Sequence, residues 1–88
     1  MRDADKSDEQ LLAEFVAGRK AALGELARRH ESSLLGLACG LLGGREDLAR
    51  DAVQETWMRV VRFAGGFHGR SCFKTWVYRI AVNQCRDI

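Results

Sequence analysis

Apolar residues recur along the chain at the three- and four-residue spacing of amphipathic α-helices, and no stretch alternates in the manner of a β-strand. Ser7 and Gln10 form the pattern of a capping box, which predicts a first helix that runs through LLAEFVA and ends at Gly18. A second, longer helix is predicted to end at the glycines 43–44. Its apolar stripe comprises Leu23, Leu26, His30, Leu34, Leu37 and Leu41.

The second half of the chain predicts two more helices. Residues 46–47 are acidic and suit the first turn of a third helix, where negative charge interacts favourably with the helix dipole. This helix extends to about Ala64, and the glycines 65–66 end it. Ser71 is predicted to cap a fourth helix, whose stripe comprises Phe73, Trp76, Val77, Ile80 and Ala81. The sequence therefore predicts an all-α fold, a compact four-helix domain with short connections.

The length and composition indicate one small globular domain that spans residues 1–88. Residues 1–6, MRDADK, are charged and are expected to be a flexible N-terminus without the apolar core of an export signal. The longest uncharged segment, SSLLGLACGLLGG, has 13 residues, whereas a membrane span needs roughly 20. A cytoplasmic protein without membrane contact is predicted.

The three cysteines do not suggest a metal site. Cys39, Cys72 and Cys85 are odd in number and too widely spaced for a CxxC metal-binding pair. We interpret them as reduced thiols that fill space in the core, with redox sensing as the alternative. No metal and no cofactor is predicted.

Charge is distributed unevenly along the chain. Residues 1–56 contain 8 basic and 11 acidic side chains, a balance of −3, whereas residues 57–88 contain 6 basic side chains and one acid, a balance of +5. Segregation of this kind is typical of a nucleic-acid surface, although a solvated basic helix has the same pattern.

The face of the third helix opposite its apolar stripe has an unusual composition for a solvent-exposed surface. Asp51, Gln54, Glu55, Met58 and Arg62 lie opposite its apolar stripe of Ala52, Val53, Thr56, Trp57 and Val60. Carboxylates one turn apart repel each other by a few tenths of a kcal/mol, and an exposed methionine gains nothing from water. Taken alone, this face is interpreted as a solvated helix surface.

The fourth helix carries a different chemistry. At 100° per residue, one flank beside Trp76 is expected to hold Thr75, Arg79, Asn83 and Arg86. Lys74 and Tyr78 are expected on the other side of the stripe. The basic loop FHGRS leads directly into this helix, so a cationic and aromatic surface is predicted next to the acidic one.

Two segments in this region resemble a known family. DAVQETWMRVVRF, followed by FHGRSCFKTWVYRIAVNQCRD, closely resembles the second conserved region of bacterial extracytoplasmic-function (ECF) sigma factors. The family pattern is an acid, a Gln–Glu pair, apolar and basic residues, and then F-x-G-x-S-x-F-x-T-W-[LV]-Y-R-I-A-x-N. The resemblance covers residues 7–87 and implies a compact helical domain of the sigma factor region 2 type, which acts in transcription initiation.

The resemblance implies that the third helix binds RNA polymerase. In the family, the helix with the Gln–Glu pair docks on the coiled-coil clamp helices of the largest subunit. The matching residues here are Asp51, Gln54, Glu55 and Met58. Carboxylates at this spacing suit arginines of a partner helix, and a methionine adds an adaptable apolar contact.

The resemblance also implies recognition and melting of the minus-ten promoter element through bases of the non-template strand. The loop at 67–71 matches the family's specificity loop, which receives a flipped base, and Asn83 matches an asparagine near that pocket. Basic side chains would hold phosphates, which gives position and affinity but little discrimination. The implied DNA-binding residues are Arg59, Arg62, Phe67, His68, Arg70, Ser71, Lys74, Arg79, Asn83 and Arg86.

Several aromatic residues favour a structural role over a functional one. Phe63 and Phe73 are predicted in the core, and Trp76 at its edge. Tyr78 is expected to be half-buried. His30 lies in the stripe of the second helix and is predicted to be structural, whereas His68 is expected to be exposed in the loop.

Other functions fit the sequence less well. Catalysis is disfavoured because Ser71 or Cys72 with His68 lacks a third, orienting group. A protein-binding helical module, or a repressor-like helix-turn-helix domain, is the alternative, but a repressor needs a turn of three or four residues. The family's second domain, which reads the minus-thirty-five element, and its linker are absent, which suggests an excised domain. An anti-sigma factor is a further partner that the resemblance implies.

Overall fold

The computed structural model describes residues 2–88 and contains four α-helices. They are α1 (Asp8–Val16), α2 (Ala21–Leu41), α3 (Glu46–Phe63) and α4 (Phe73–Arg86), with short 3₁₀ turns at Asp3–Asp5 and Ala64–Gly66. α2 packs against each of the other three helices, and α3 packs against α4. The predicted all-α, four-helix architecture is confirmed.

α1 begins as the sequence predicts. The Ser7 hydroxyl accepts a hydrogen bond from the Gln10 amide, and the Gln10 side chain accepts one from the Ser7 amide. The amide groups of Ser7 and Gln10, which have no carbonyl partner within the helix, thereby both have an acceptor. Gly18 follows the helix with a φ of 110°, a conformation that other residues rarely adopt.

The core line of α2 is narrower than the predicted stripe. Its buried residues follow each other at intervals of four, namely Ala22, Leu26, His30, Leu34 and Ala38. Leu23 and Leu37 lie on the edge of this line and are partly buried, and Leu41 is 51% exposed. The prediction of Leu41 in the core is therefore wrong, because spacing by four moves the line away from the flank on which Leu41 lies.

His30 is structural, as predicted. Its Nε2 donates a hydrogen bond to Asp8 Oδ2 at 2.8 Å, and its ring packs against Phe73 with 5.6 Å between centroids. The contact therefore connects α1, α2 and α4 at one buried point.

The end of α3 differs from the prediction at Phe63. This side chain is 46% exposed, whereas Ala64 is 4% exposed and takes the core position four residues after Val60. A regular α-helix would place both residues on the same face as Val60, but α3 ends at Phe63 and the backbone continues into the 3₁₀ turn Ala64–Gly66. The predicted core role of Phe63 is wrong, and that of Phe73, which is fully buried, is confirmed.

The start of α4 also differs from the prediction. Cys72, not Ser71, is the N-cap residue, and it forms no side-chain capping bond. The Phe73 amide instead donates to Glu9 Oε2 in α1 at 2.6 Å. Ser71 lies too early to cap a helix whose first residue is Phe73.

Ion pairs connect residues 2–6 of the N-terminal segment to later residues, and the expected flexibility of residues 1–6 stays a prediction. Asp3 pairs with Arg19 at 2.8 Å, and Lys6 pairs with Glu14 at 2.8 Å. The Arg29 guanidinium donates to the Asp3 carbonyl at 2.7 Å. Met1 lies outside the described residues. No helix within residues 2–88 is both long and apolar enough to cross a membrane.

Candidate protein-binding and nucleic-acid surfaces

The first candidate surface is the α3 ridge, defined here as Asp51, Gln54, Glu55 and Met58. It lies opposite the buried stripe of α3, of which Ala52, Val53, Thr56 and Val60 are buried and Trp57 partly buried. Asp51 and Gln54 are exposed, Glu55 is partly exposed, and Met58 is 59% exposed. Asp51 forms no ion pair within residues 2–88. The ridge is thus available to a partner.

A groove between α2 and α3 extends the α3 ridge. Gln54 and Met58 line it together with residues of both helices, namely Glu31, Leu35, Arg50, Val53, Trp57 and Val61. The Trp57 indole donates to Glu31 Oε2 at 2.8 Å, which connects the two walls. Sequence reasoning missed Glu31, Leu35 and Val61, because only the packing of α2 on α3 brings them beside the ridge.

The second candidate surface begins at the loop between α3 and α4. A cleft, called the loop cleft, is lined by Gly66, Phe67, His68, Arg70, Ser71, Trp76 and Arg79. The Phe67 ring packs against Trp76 with 5.1 Å between centroids, and both rings are partly buried. Gly69 has a φ of 73°, a backbone conformation that residues with a side chain adopt only with strain. The loop cleft therefore combines ring faces with imidazole and guanidinium donors.

The basic surface continues along α4. A shallow groove follows the exposed side of this helix and is lined by Lys74, Thr75, Tyr78, Arg79, Val82, Asn83 and Arg86. Lys74 and Tyr78, expected on the opposite side of the stripe, lie in the same groove, with the ammonium 5.7 Å from the Tyr78 ring centroid. The buried stripe is narrow enough for the two flanks to meet as one exposed face.

A third cleft lies between the ends of α3 and α4. Phe63 and Asn83 line it with Arg59, Trp76, Ile80, Gln84, Arg86 and Asp87. The Arg62 guanidinium lies 5.3 Å from the Phe63 ring centroid, so this exposed ring is next to a cation. Sequence reasoning missed Phe63 as a surface residue, because its three-residue offset from Val60 is compatible with the core face of a regular helix.

Asn83 and the loop at residues 67–71 do not share a cleft. Asn83 follows Trp76 by seven residues, which corresponds to about 10 Å along the helix. Trp76 lines both the loop cleft and the cleft with Phe63 and therefore separates them. The predicted DNA-binding residues thus form a row of adjoining sites.

The two candidate surfaces meet at one residue. Arg59 Nε lies 3.6 Å from Glu55 Oε1 in the α3 ridge, and Arg59 also lines the cleft with Phe63 and Asn83. This ion pair is long and exposed, so it contributes little to stability and either side chain can be recruited by a partner.

The cysteines differ from one another. Cys85 is buried, and burial raises the pKa of its thiol. Cys72 is exposed beside the loop, so the predicted packing role is wrong for this residue. A hydrogen bond with the Thr75 hydroxyl at 3.2 Å lowers the pKa of the Cys72 thiol. Within residues 2–88, no group of three or more His, Cys, Asp or Glu side chains could hold a metal ion.

The chain matches a protein family and is similar in sequence to several curated proteins. Residues 26–88 match the Sigma-70 region 2 family. The chain is 40% identical over 83 residues to the ECF RNA polymerase sigma factor SigM of Mycobacterium tuberculosis, covering 94% of this chain and 42% of that protein. It is 33% identical over 82 residues to the RNA polymerase sigma-H factor of Pseudomonas aeruginosa, covering 93% and 42%. The chain thus spans less than half the length of these curated relatives.

A solved structure is similar over nearly the whole chain. It is the NMR structure of an engineered region 2 of sigmaE in complex with GTAAAA. The TM-score is 0.85 at 26% identity, and the match covers 99% of this chain and 88% of that one.

Proposed function

Because the chain belongs to the sigma-70 region 2 family, we propose that it is a sigma factor domain that recognises the minus-ten promoter element and binds RNA polymerase during transcription initiation. The activity takes place in the cytoplasm, where bacterial polymerase meets DNA. The observation that carries the proposal is the row of adjoining clefts along the loop and α4, where aromatic rings that are at least partly exposed lie beside guanidinium groups.

The loop cleft suits capture of one base of the non-template strand. Extrusion of a base costs a few kcal/mol, and stacking on an aromatic ring returns roughly 1–3 kcal/mol per base. Phe67 and Trp76 present ring surface at this cleft, and His68, Arg70 and Ser71 supply hydrogen-bonding groups around it. A base held there is stacked on a ring and forms hydrogen bonds through its edge. The hydrogen bonds to the edge distinguish one base type from the other three.

Neighbouring nucleotides follow the row of clefts. Asn83 contacts a base edge beyond Trp76, and the exposed Phe63 adds a second stacking surface. The phosphates lie against the basic side chains, which are Arg59, Arg62, Arg70, Lys74, Arg79 and Arg86. This arrangement separates positioning by charge from discrimination by Asn83 and the loop cleft.

The α3 ridge binds the clamp helices of the largest polymerase subunit. Asp51 and Glu55 accept charge-assisted hydrogen bonds from arginines of the partner, and Gln54 bonds to its polar groups. Met58 and the α2–α3 groove receive the partner's apolar side chains. An anti-sigma factor that covers either surface would prevent initiation.

The proposal is tested by selection from a pool of randomised single-stranded hexanucleotides, followed by fluorescence anisotropy at several salt concentrations. We expect one hexamer family to be enriched and to bind at least tenfold more tightly than scrambled hexamers. Affinity is expected to fall steeply with salt, because several basic side chains release counterions. No enrichment, or a flat salt series, would contradict the proposal and favour a module that binds proteins only.

A further inference from the structure

α4 lacks the usual means of stabilising its own N-terminus. The first turn of a helix has free amide groups and a partial positive charge, which an acidic or capping side chain normally satisfies. Cys72 provides no such bond, and the first turn holds no acid but does hold Lys74. The helix that follows the specificity loop therefore depends on another element for this role.

Glu9 in α1, which is 64 residues earlier in the sequence, caps the N-terminus of α4. Its Oε2 accepts a hydrogen bond from the Phe73 amide at 2.6 Å, the short distance of a charge-assisted bond. The carboxylate also places a negative charge at the positive end of α4. The first residue after the loop is thus attached to a helix near the other end of the chain.

Asp8, the neighbour of Glu9 in α1, is also connected to Phe73, through His30. Asp8 bonds to His30 at 2.8 Å, and the His30 ring packs on the fully buried Phe73 ring at 5.6 Å. Phe73 is therefore held through its backbone by Glu9 and through its ring by the Asp8–His30 pair.

These contacts continue to the other end of the loop. Phe73 packs on Trp76 with 6.0 Å between centroids, and Trp76 packs on Phe67 at 5.1 Å. Only residues 68–72 lie between Phe67 and Phe73. Both ends of this short segment are thus fixed, one by ring packing and the other by Glu9.

We infer that Glu9 is a positioning residue for base capture, and this inference rests on the proposed function. By capping α4 from α1, Glu9 holds the loop in the shape that receives the extruded base before DNA arrives. A loop already ordered loses less conformational entropy on binding, so the benefit appears as tighter binding of the captured base. Glu9 itself touches no nucleotide.

Three variants separate this role from general stability. Glu9→Ala removes the cap, and Glu9→Gln retains an oxygen that can accept the Phe73 hydrogen bond. Ala38→Gly is the matched control, because it destabilises a buried position in α2 about 12 Å along the helix from His30. Each is titrated with the hexamer that the wild-type chain selects and with the same hexamer made abasic at the captured position, which a scan of single abasic positions identifies.

We expect Glu9→Ala to weaken binding of the intact hexamer about three- to tenfold, through lost loop order, and to leave binding of the abasic hexamer unchanged. Glu9→Gln should recover most of the loss, and Ala38→Gly should lower the melting temperature without changing the ratio of the two affinities. Equal losses on both hexamers, no loss on either, or the same ratio change in Ala38→Gly would overturn the inference.

Hydrogen exchange without DNA distinguishes failure of this inference from failure of the proposed function. Glu9→Ala should accelerate exchange of the Phe73 amide relative to wild type and to Ala38→Gly. If exchange rises but the wild-type chain does not discriminate among hexamers, the proposed function fails while the cap is real. If Phe73 exchange is unchanged, Glu9 does not position the loop.

Discussion

At the scale of single residues, we propose that Asn83 reads a base and that Arg79 holds a phosphate. Both are exposed on α4 and line its groove one turn apart. An amide offers a donor and an acceptor in a defined geometry, whereas a guanidinium binds any phosphate. Neighbouring positions on one helix are therefore expected to differ in what their loss does to DNA binding.

Asn83→Ala should weaken binding of the selected hexamer by about 1–2 kcal/mol, roughly five- to thirtyfold, while scrambled hexamers bind as before. Arg79→Ala should weaken all sequences alike and reduce the salt slope by about one. Anisotropy titrations at several salt concentrations measure both effects. Equal loss on selected and scrambled DNA with Asn83→Ala would remove this residue from base recognition.

The two phenylalanines that the sequence predicts in the core show where residue-level prediction succeeds and where it fails. Phe73 is predictable because it precedes Val77 by four residues, and Val77 precedes Ala81 by four, so all three lie on the same face of α4. Phe63 lies at a helix end, where the choice between Phe63 and Ala64 depends on the 3₁₀ turn that follows. The cap from Glu9 cannot be predicted from local sequence at all, since the acceptor and donor are 64 residues apart.

At the scale of elements, α3 has two chemically distinct faces. Its buried stripe attaches the helix to the core, and its opposite face presents the α3 ridge. The period of 3.6 residues allows both faces to be predicted from sequence. The α2–α3 groove could not be predicted, because it depends on which side of α2 meets α3.

The combined Gln54→Ala and Glu55→Ala change should abolish co-purification with a clamp-helix fragment of polymerase. Loss of a charge-assisted bond and an amide contact corresponds to about 3 kcal/mol, or roughly 100-fold in affinity. Helicity by circular dichroism should not change, since Glu55 has one long, exposed ion pair. Asp47→Ala, which removes a carboxylate from the first turn of α3, is the control and should retain binding. Undiminished capture of the double variant would remove the ridge from the polymerase interface.

At the scale of the whole molecule, one chain of 88 residues supports two surfaces of opposite charge. The split between residues 1–56 and residues 57–88 is visible in the sequence, and the fold places the α2–α3 groove and the cleft with Phe63 and Asn83 on different sides of α3. The sequence resemblance to ECF sigma factors is confirmed by the family match and by the named relatives. The pairing of Arg59 with Glu55 follows from their four-residue spacing, whereas the position of Arg59 in the cleft with Phe63 and Asn83 depends on the packing of α4 on α3.

The most direct test of this account asks whether both surfaces can be occupied at once. A fluorescently labelled selected hexamer is bound to the chain, the clamp-helix fragment is titrated in, and complex masses are read by native mass spectrometry alongside anisotropy. We expect a ternary complex in which the hexamer stays bound as the fragment saturates. Displacement of the hexamer by the fragment would show that the two partners share one surface, and would contradict the account.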